Sequence, residues 1–293
     1  MDVIWLKSFE LPSREREEIF LSHFLTDIRL TCYTTFYPFN IFRQRTLPRF
    51  ELGEITVLAG GNGCGKSTAL NVLAGMIGVG RDTAGNSSSF FRDYVRLCDC
   101  DWARGRSQAP EGSRLMTSDG VFDYMLDLRA INEGVDLRRD TLLEDYDKIR
   151  RTRVQMRSME DYEALKQFNE ANRKSKSRFV AARAENIRER SNGESALRYF
   201  TDSIKENALY LLDEPENSLS PRNQLELWQF IEDSARFYGC QFVIATHSPF
   251  LLSLRDAVIY DLDAEPVCTR RWTELPNVRA YYDFFMENRG KFE

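Results

Sequence analysis

Residues 54–67 read Glu54-Ile-Thr-Val-Leu-Ala59 and then Gly60-Gly-Asn-Gly-Cys-Gly-Lys-Ser67. The first six form a short, apolar, β-branched run of the kind a parallel sheet buries on both faces. The next eight match the spacing GxxxxGK[ST]. After them Lys66–Ile77 (KSTALNVLAGMI) places Leu70, Leu73, Ala74 and Ile77 at helical spacing, and Gly78 and Gly80 stop the helix. A buried strand, a glycine-rich turn and a helix N-terminus together aim backbone N–H groups and a partial positive charge at one point, which is an anion site. Gly61, Asn62, Gly63, Cys64, Gly65, Lys66, Ser67 and Thr68 are therefore the candidate phosphate-binding set. Lys66 can reach β- and γ-phosphates, the Ser67 hydroxyl can ligate Mg²⁺, and Thr68 lies next to an α-phosphate.

Two further apolar runs look like central strands. Ala208-Leu-Tyr-Leu-Leu-Asp213 ends in the acids Asp213 and Glu214. Beside a phosphate loop, Asp213 would hold Mg²⁺ and Glu214 would polarise an attacking water as general base. Gln241–Thr246 leads into His247-Ser-Pro, and His247 would contact a γ-phosphate. Between these runs Ser220-Pro221 opens a helix, with Ser as cap and Pro in the first position. Its apolar positions are Leu225, Leu227, Trp228, Ile231 and Ala235, and Gly239 ends it. Ala257–Asp261 reads as a fourth strand and 277–288 as a closing helix. Alternation of this kind predicts an α/β fold with a mostly parallel sheet flanked by helices.

The motifs resemble those of the ABC class of P-loop ATPases. LYLLDEPENSLS is similar to that class's Walker B strand with its catalytic Glu, followed by a D-loop at Ser218, Leu219 and Ser220; ATHSPFLL is similar to its switch-histidine segment. Ser191-Asn-Gly-Glu-Ser195, twenty-two positions before Asp213, resembles the class signature, with Ser191, Gly193 and Glu194 at matching places. Asn192 replaces the first glycine of that motif and Arg190 the preceding leucine. The wording is nearest to the soluble RecF, SMC and OLD-like branch, and to small bacterial ATPases of the AAA type. This resemblance covers nearly the whole chain, best over 37–75 and 185–288. It implies ATP and Mg²⁺ as ligands, catalytic roles for Lys66, Glu214 and His247, and a head-to-tail homodimer in which the signature of one subunit meets the γ-phosphate of the other. It further implies work in DNA maintenance or phage defence beside a partner. The alternatives are an ATP-sensing switch for an effector protein and, less favoured, the nucleotide-binding subunit of a transporter. The Gln of the class's Q-loop is not evident: Gln108 and the Thr117–Asp119 turn both compete for its place. Tyr37, Phe39 and Phe42 stand where the class carries an adenine-stacking aromatic, although core packing accounts for each of them as well.

Length and charge set the remaining bounds. The 293 residues are expected to form one ATPase domain, 1–293, with an inserted helical lobe over 118–192. Ser118 is the expected cap of the lobe's first helix, which carries Val121, Tyr124, Met125, Leu128 and Ile131. From about 140 to 190 the composition is helical and free of proline, which suggests a two-helix hairpin. Residues 148–183 hold eleven Lys and Arg against four acids, a net of +7, which leaves −12 for the rest of a chain whose total is −5. Such an arm could meet nucleic acid or a protein partner. Residues 1–60 read mostly as short strands and turns, and a short strand is expected near Tyr94–Cys98. The six cysteines have no CxxC spacing and suit reduced thiols in a cytoplasmic protein. No secretory leader is expected and no membrane-length apolar run is visible; with forty-six residues following His247, no Toprim-like nuclease domain is expected.

Overall fold

The computed structural model describes residues 4–23, 35–81, 83–151 and 192–292. The chain divides into two compact units, Met1–Val121 with Asn192–Glu293 and Phe122–Ser191. In the first unit the elements run β1 (Leu6–Glu10), α1 (Arg14–His23), β2 (Phe50–Glu51), β3 (Ile55–Ala59), α2 (Lys66–Ile77), β4 (Gly80–Arg81), α3 (Phe91–Arg96), β5 (Asp99–Trp102) and β6 (Arg114–Thr117). The helix α4 (Ser118–Arg151) starts in this unit and carries the chain into the second. The first unit resumes with α5 (Asn192–Ser203), β7 (Leu209–Asp213), a 3₁₀ turn at Pro215–Ser218, α6 (Pro221–Phe237), β8 (Gln241–Thr246) and α7 (Pro249–Leu252). It closes with β9 (Val258–Asp261), β10 (Cys268–Thr269) and α8 (Pro276–Glu287).

The main sheet has the order β10-β9-β3-β8-β7-β6-β4. All neighbours are parallel except β10 with β9. Its central strands are buried along their length, as continuous apolar runs on a two-sided sheet must be. A second, antiparallel sheet, β2-β1-β5, is fastened to the first by Gln241. The buried amide of Gln241 accepts from Trp5 N–H at 2.8 Å and Leu6 N–H at 2.9 Å, and donates to Leu6 O at 2.8 Å and Gly53 O at 2.9 Å. No hydrogen-bonding capacity of that side chain is left over, which is the condition for burying it without cost to the fold.

The expected central strands, the phosphate-loop helix and the Ser220-capped helix all form. Ser220 Oγ accepts from Asn223 N–H at 3.3 Å. Four local readings need correction. Residues 91–96 are helical and the strand falls at 99–102, because Phe90 and Tyr94, one turn apart, are both fully buried. Residues 14–23 form a helix that Ser13 caps through Arg16 N–H at 3.3 Å and that an Arg14–Glu18 pair one turn apart supports at 2.8 Å. At the start of α4 the capping side chain is Thr117, which accepts from Gly120 N–H at 3.3 Å, and Ser118 is already helical. Leu225 and Ile131 are exposed. The two-helix hairpin and the basic stretch 148–183 lie almost wholly outside the described residues; α4 accounts for the part up to Arg151. Among the described residues no helix is long and apolar enough to cross a membrane, and the five described cysteines are free thiols.

Candidate active site

Parallel register brings the candidate residues together. Ala59 pairs with Thr246 and Asp261, Asp213 with Ala245, and Thr117 with Asp213. The carboxyl ends of β9, β3, β8, β7 and β6 therefore lie in one row. The loops that follow them converge on one edge, where ligands bind in open α/β sheets.

After β3 the loop Gly60–Gly65 wraps back into α2. Gly65 has φ +101°, and a Cβ there would lie 2.5 Å from Cε1 of the buried Phe42. Phe42 is thus a wedge beneath the turn and Phe39 is core, so neither serves as an adenine-stacking ring. Substitution of Gly65 by Ala combines left-handed strain with overpacking and is expected to lower unfolding free energy by about 2–5 kcal/mol. A urea unfolding midpoint reads this directly. Gly60 is constrained as well, since its Cβ would meet Cys64 Sγ at 2.6 Å. Lys66 is 3% exposed; its ammonium donates to Gly60 O and Gly61 O, each at 2.9 Å, and lies 3.7 Å from Glu214 Oε1. Gly61 N–H donates to Asp263 Oδ2 at 2.6 Å, which anchors the loop to the segment after β9.

Ser67 Oγ donates to Asp213 Oδ1 at 2.9 Å. Burial pushes the Asp213 carboxyl up to about 6; the negative charge of Glu214 adds to this, while the Ser67 hydrogen bond and Lys66 oppose it. A hydroxyl and a carboxylate side by side, the latter short of positive charge, fit Mg²⁺, which takes one or two protein oxygens and fills its shell with phosphate and water. Among the described residues no cluster of three His, Cys, Asp or Glu forms an all-protein metal cage.

Glu214 has φ +46°, a left-handed conformation that is uncommon for a non-glycine residue and costs about 1–3 kcal/mol. Hydrogen bonds on both sides of the residue hold it there, among them Asn217 N–H to Glu214 O at 3.2 Å. Its N–H donates to Ala245 O at 2.8 Å, and its Oε2 accepts from Asn217 Nδ2 at 2.9 Å. Its Oε1 lies 3.9 Å from His247 Nδ1.

A cavity of about 270 Å³ adjoins these groups, lined by Tyr37, Ser67, Thr68, Asn71, Arg81 and Thr117 among others, with Asp213 and Glu214 at its wall. Of the three aromatic candidates only Tyr37 faces it. Asn71 Nδ2 ties Tyr37 Oη at 2.9 Å to Asn86 O at 2.7 Å, and Arg81 donates to Asn71 Oδ1. Arg81, the one cation in the lining, escaped the sequence reading because nothing local marks it. The Thr117–Asp119 turn also lines the cavity, whereas Gln108 is exposed in the loop before β6. Strand order alone separates these two candidates for the Q-loop position.

The signature and D-loop candidates meet each other. A Cβ on Gly193 would stand 2.9 Å from Asn223 Nδ2 and 3.8 Å from Ser218 O and Ser220 N. Glu194 lies exposed in the first turn of α5, Leu219 is buried, and Ser191 lies outside the described residues. None of the described ones, Gly193, Glu194 and Ser218–Ser220, lines the cavity beside the phosphate loop.

The fold and the site define a P-loop ATPase domain of the ABC type. A family profile described as "AAA domain, putative AbiEii toxin, Type IV TA system" matches residues 101–253, more than half of the chain, and the chain belongs to that family. The match takes in Asp213, Glu214 and His247, and the phosphate loop precedes it. An uncharacterized ABC transporter ATP-binding protein of Methanocaldococcus jannaschii is 24% identical over 252 residues, covering 82% of this chain and 86% of that protein. Similar solved structures include an Smc head domain of Pyrococcus furiosus bound to the C-terminal domain of ScpA. It is 12% identical with a TM-score of 0.39, covering 82% of this chain and 95% of that one. A dimeric ATP-binding cassette bound to ADP and Pi is 15% identical with a TM-score of 0.36, covering 78% and 90%.

Proposed function

We propose that this chain is a cytoplasmic ATPase that works as a head-to-tail homodimer with ATP held between its subunits. One observation carries the reading: Lys66, Ser67, Asp213, Glu214 and His247, from three separate segments, converge at the carboxyl edge of one parallel sheet. Gly61–Thr68 cradle the phosphates, and Lys66 exchanges its two carbonyl partners for β- and γ-oxygens. Ser67 and Asp213 would hold Mg²⁺, which would supply charge neutralisation for phosphoryl transfer. Glu214, fixed by Asn217, orients the attacking water and takes its proton. Ser191, Gly193 and Glu194, backed by the D-loop Ser218–Ser220, close the partner's site. Turnover removes the γ-phosphate that bridges the halves and shifts the population towards the open form.

The experiment mixes two inactive variants. Lys66→Ala lacks a working phosphate loop and Ser191→Arg lacks a working signature. Each supplies what the other lacks, so the mixture recovers ATP hydrolysis well above either protein alone; a mixture no more active than its parts contradicts the sandwich.

The inserted lobe over 118–192 supplies the output. Its +7 segment, 148–183, neutralises phosphates of a nucleic acid, with affinity that falls steeply with salt. The toxin and TA-system wording of the family description supports action beside a partner chain; DNA maintenance or phage defence is the proposed setting. The name of the M. jannaschii relative favours a second reading, a transporter's nucleotide-binding subunit, and co-purification with a permease is its test.

A further inference from the structure

Glu216 is three residues past the end of β7, inside the 3₁₀ turn that, with the left-handed Glu214, reverses the chain. Because β7 and β8 are neighbours, this reversal carries the Glu216 side chain to the residues that follow β8. It is 5% exposed, which is rare for a carboxylate and calls for compensating donors. They come from a single turn of chain. Oε1 accepts from Thr246 Oγ1 at 2.6 Å, His247 N–H at 2.9 Å and Ser248 N–H at 3.2 Å. The ring Nδ1 of His247 lies 3.3 Å from the same oxygen. Two buried atoms in this cluster, Glu216 Oε2 and His247 Nδ1, have no hydrogen-bond partner, so the carboxylate keeps accepting capacity and the ring nitrogen beside it is unsatisfied. The His247 side chain is 43% exposed although its Nδ1 is buried, so the ring turns its Nδ1 edge to Glu216 and its opposite edge outward.

We propose that Glu216 is the positioning residue of His247: its Oε1 holds the Thr246 hydroxyl and the backbone N–H groups of residues 247 and 248, and the carboxylate receives the imidazole Nδ1–H when the ring engages phosphate. The inference rests on the ATPase reading above and adds a residue to it. A buried carboxylate behind an imidazole selects which ring nitrogen points into the site. The clamp also reaches the D-loop: Ser248 Oγ donates to Gln224 Oε1 at 2.7 Å, and Gln224 Nε2 donates to Leu219 O at 3.0 Å. Residues 216–220 and 246–248 thus form one polar unit, and a partner that moves the D-loop displaces His247 with it.

The test is a double-mutant cycle with a spectroscopic arm. Glu216→Ala is expected to lower kcat to within about threefold of His247→Ala, with KM for ATP changed by less than about twofold, and the double variant is expected to match His247→Ala. Glu216→Gln keeps an acceptor oxygen for the three donors and recovers part of kcat. Multiplying effects of the two single variants would overturn the proposal. The chain has only two histidines, at 23 and 247. In a His23→Gln background the ¹⁵N imidazole spectrum therefore reports His247 alone. Glu216→Ala is expected to shift its Nδ1 resonance, and an unchanged spectrum would refute the clamp. This arm is independent of turnover, so absence of wild-type hydrolysis would remove the ATPase reading and leave the clamp decided by the spectrum.

Discussion

Replacing Glu214 by Gln leaves ATP binding intact and lowers kcat by about 10²–10⁴-fold, the range a positioned general base contributes. The amide preserves shape and still accepts the Asn217 Nδ2 bond of 2.9 Å, so the backbone at φ +46° keeps its support. What is lost is the basic oxygen beside Lys66 and His247. The proposed ATP-binding groups lie in Gly61–Thr68 and Asp213, which the substitution leaves alone, so KM is expected to change little. Steady-state phosphate release together with equilibrium binding of a fluorescent ATP analogue separates the two quantities. A parallel loss of affinity and turnover would move Glu214 from base to binding residue.

Replacing Asp213 by Asn reverses the balance between stability and function. With its carboxyl pushed up to about 6, chiefly by burial, Asp213 binds its proton more tightly folded than unfolded. The protein without Mg²⁺ or nucleotide therefore gains stability as pH falls from above 6 towards 4, and keeps that gain below. Above pH 6 the ionised carboxylate costs the fold about 2–3 kcal/mol. Asp213→Asn removes the charge and keeps an acceptor for Ser67, and is expected to raise unfolding free energy at pH 7.5 by about 1–3 kcal/mol in chelated, nucleotide-free buffer. The same variant loses the stabilisation that Mg²⁺ and ATP give the wild type, and it loses turnover. Thermal unfolding at pH 7.5 and pH 5, with and without Mg²⁺ and ATP, reads every term. A variant less stable than the wild type at pH 7.5 would place the carboxylate in a favourable structural role.

The phosphate loop and the Asp213–Glu214 strand end were legible because each is contiguous and each chemical role falls on adjacent residues. The central strands were legible because burial on both faces forces an unbroken apolar run. The rest of the site depends on register. Glu216 and Thr246 are thirty positions apart and meet only because β7 and β8 are neighbours. An acid so close to two already assigned acids gave no local signal. Arg81 and Thr117 enter the cavity through the order of β4, β6 and β7 in the sheet, which no periodicity reveals. The misplaced strand near 94–98 failed for the opposite reason, since a six-residue helix held by two buried aromatic rings is too short to declare a period.

The central claim, two subunits closing on shared ATP, is tested most directly by the mass of Glu214→Gln in sedimentation equilibrium with saturating Mg²⁺ and ATP. The account predicts a dimer that reverts to the 34.1 kDa chain when ATP is replaced by ADP. A species that stays monomeric with ATP bound would contradict it.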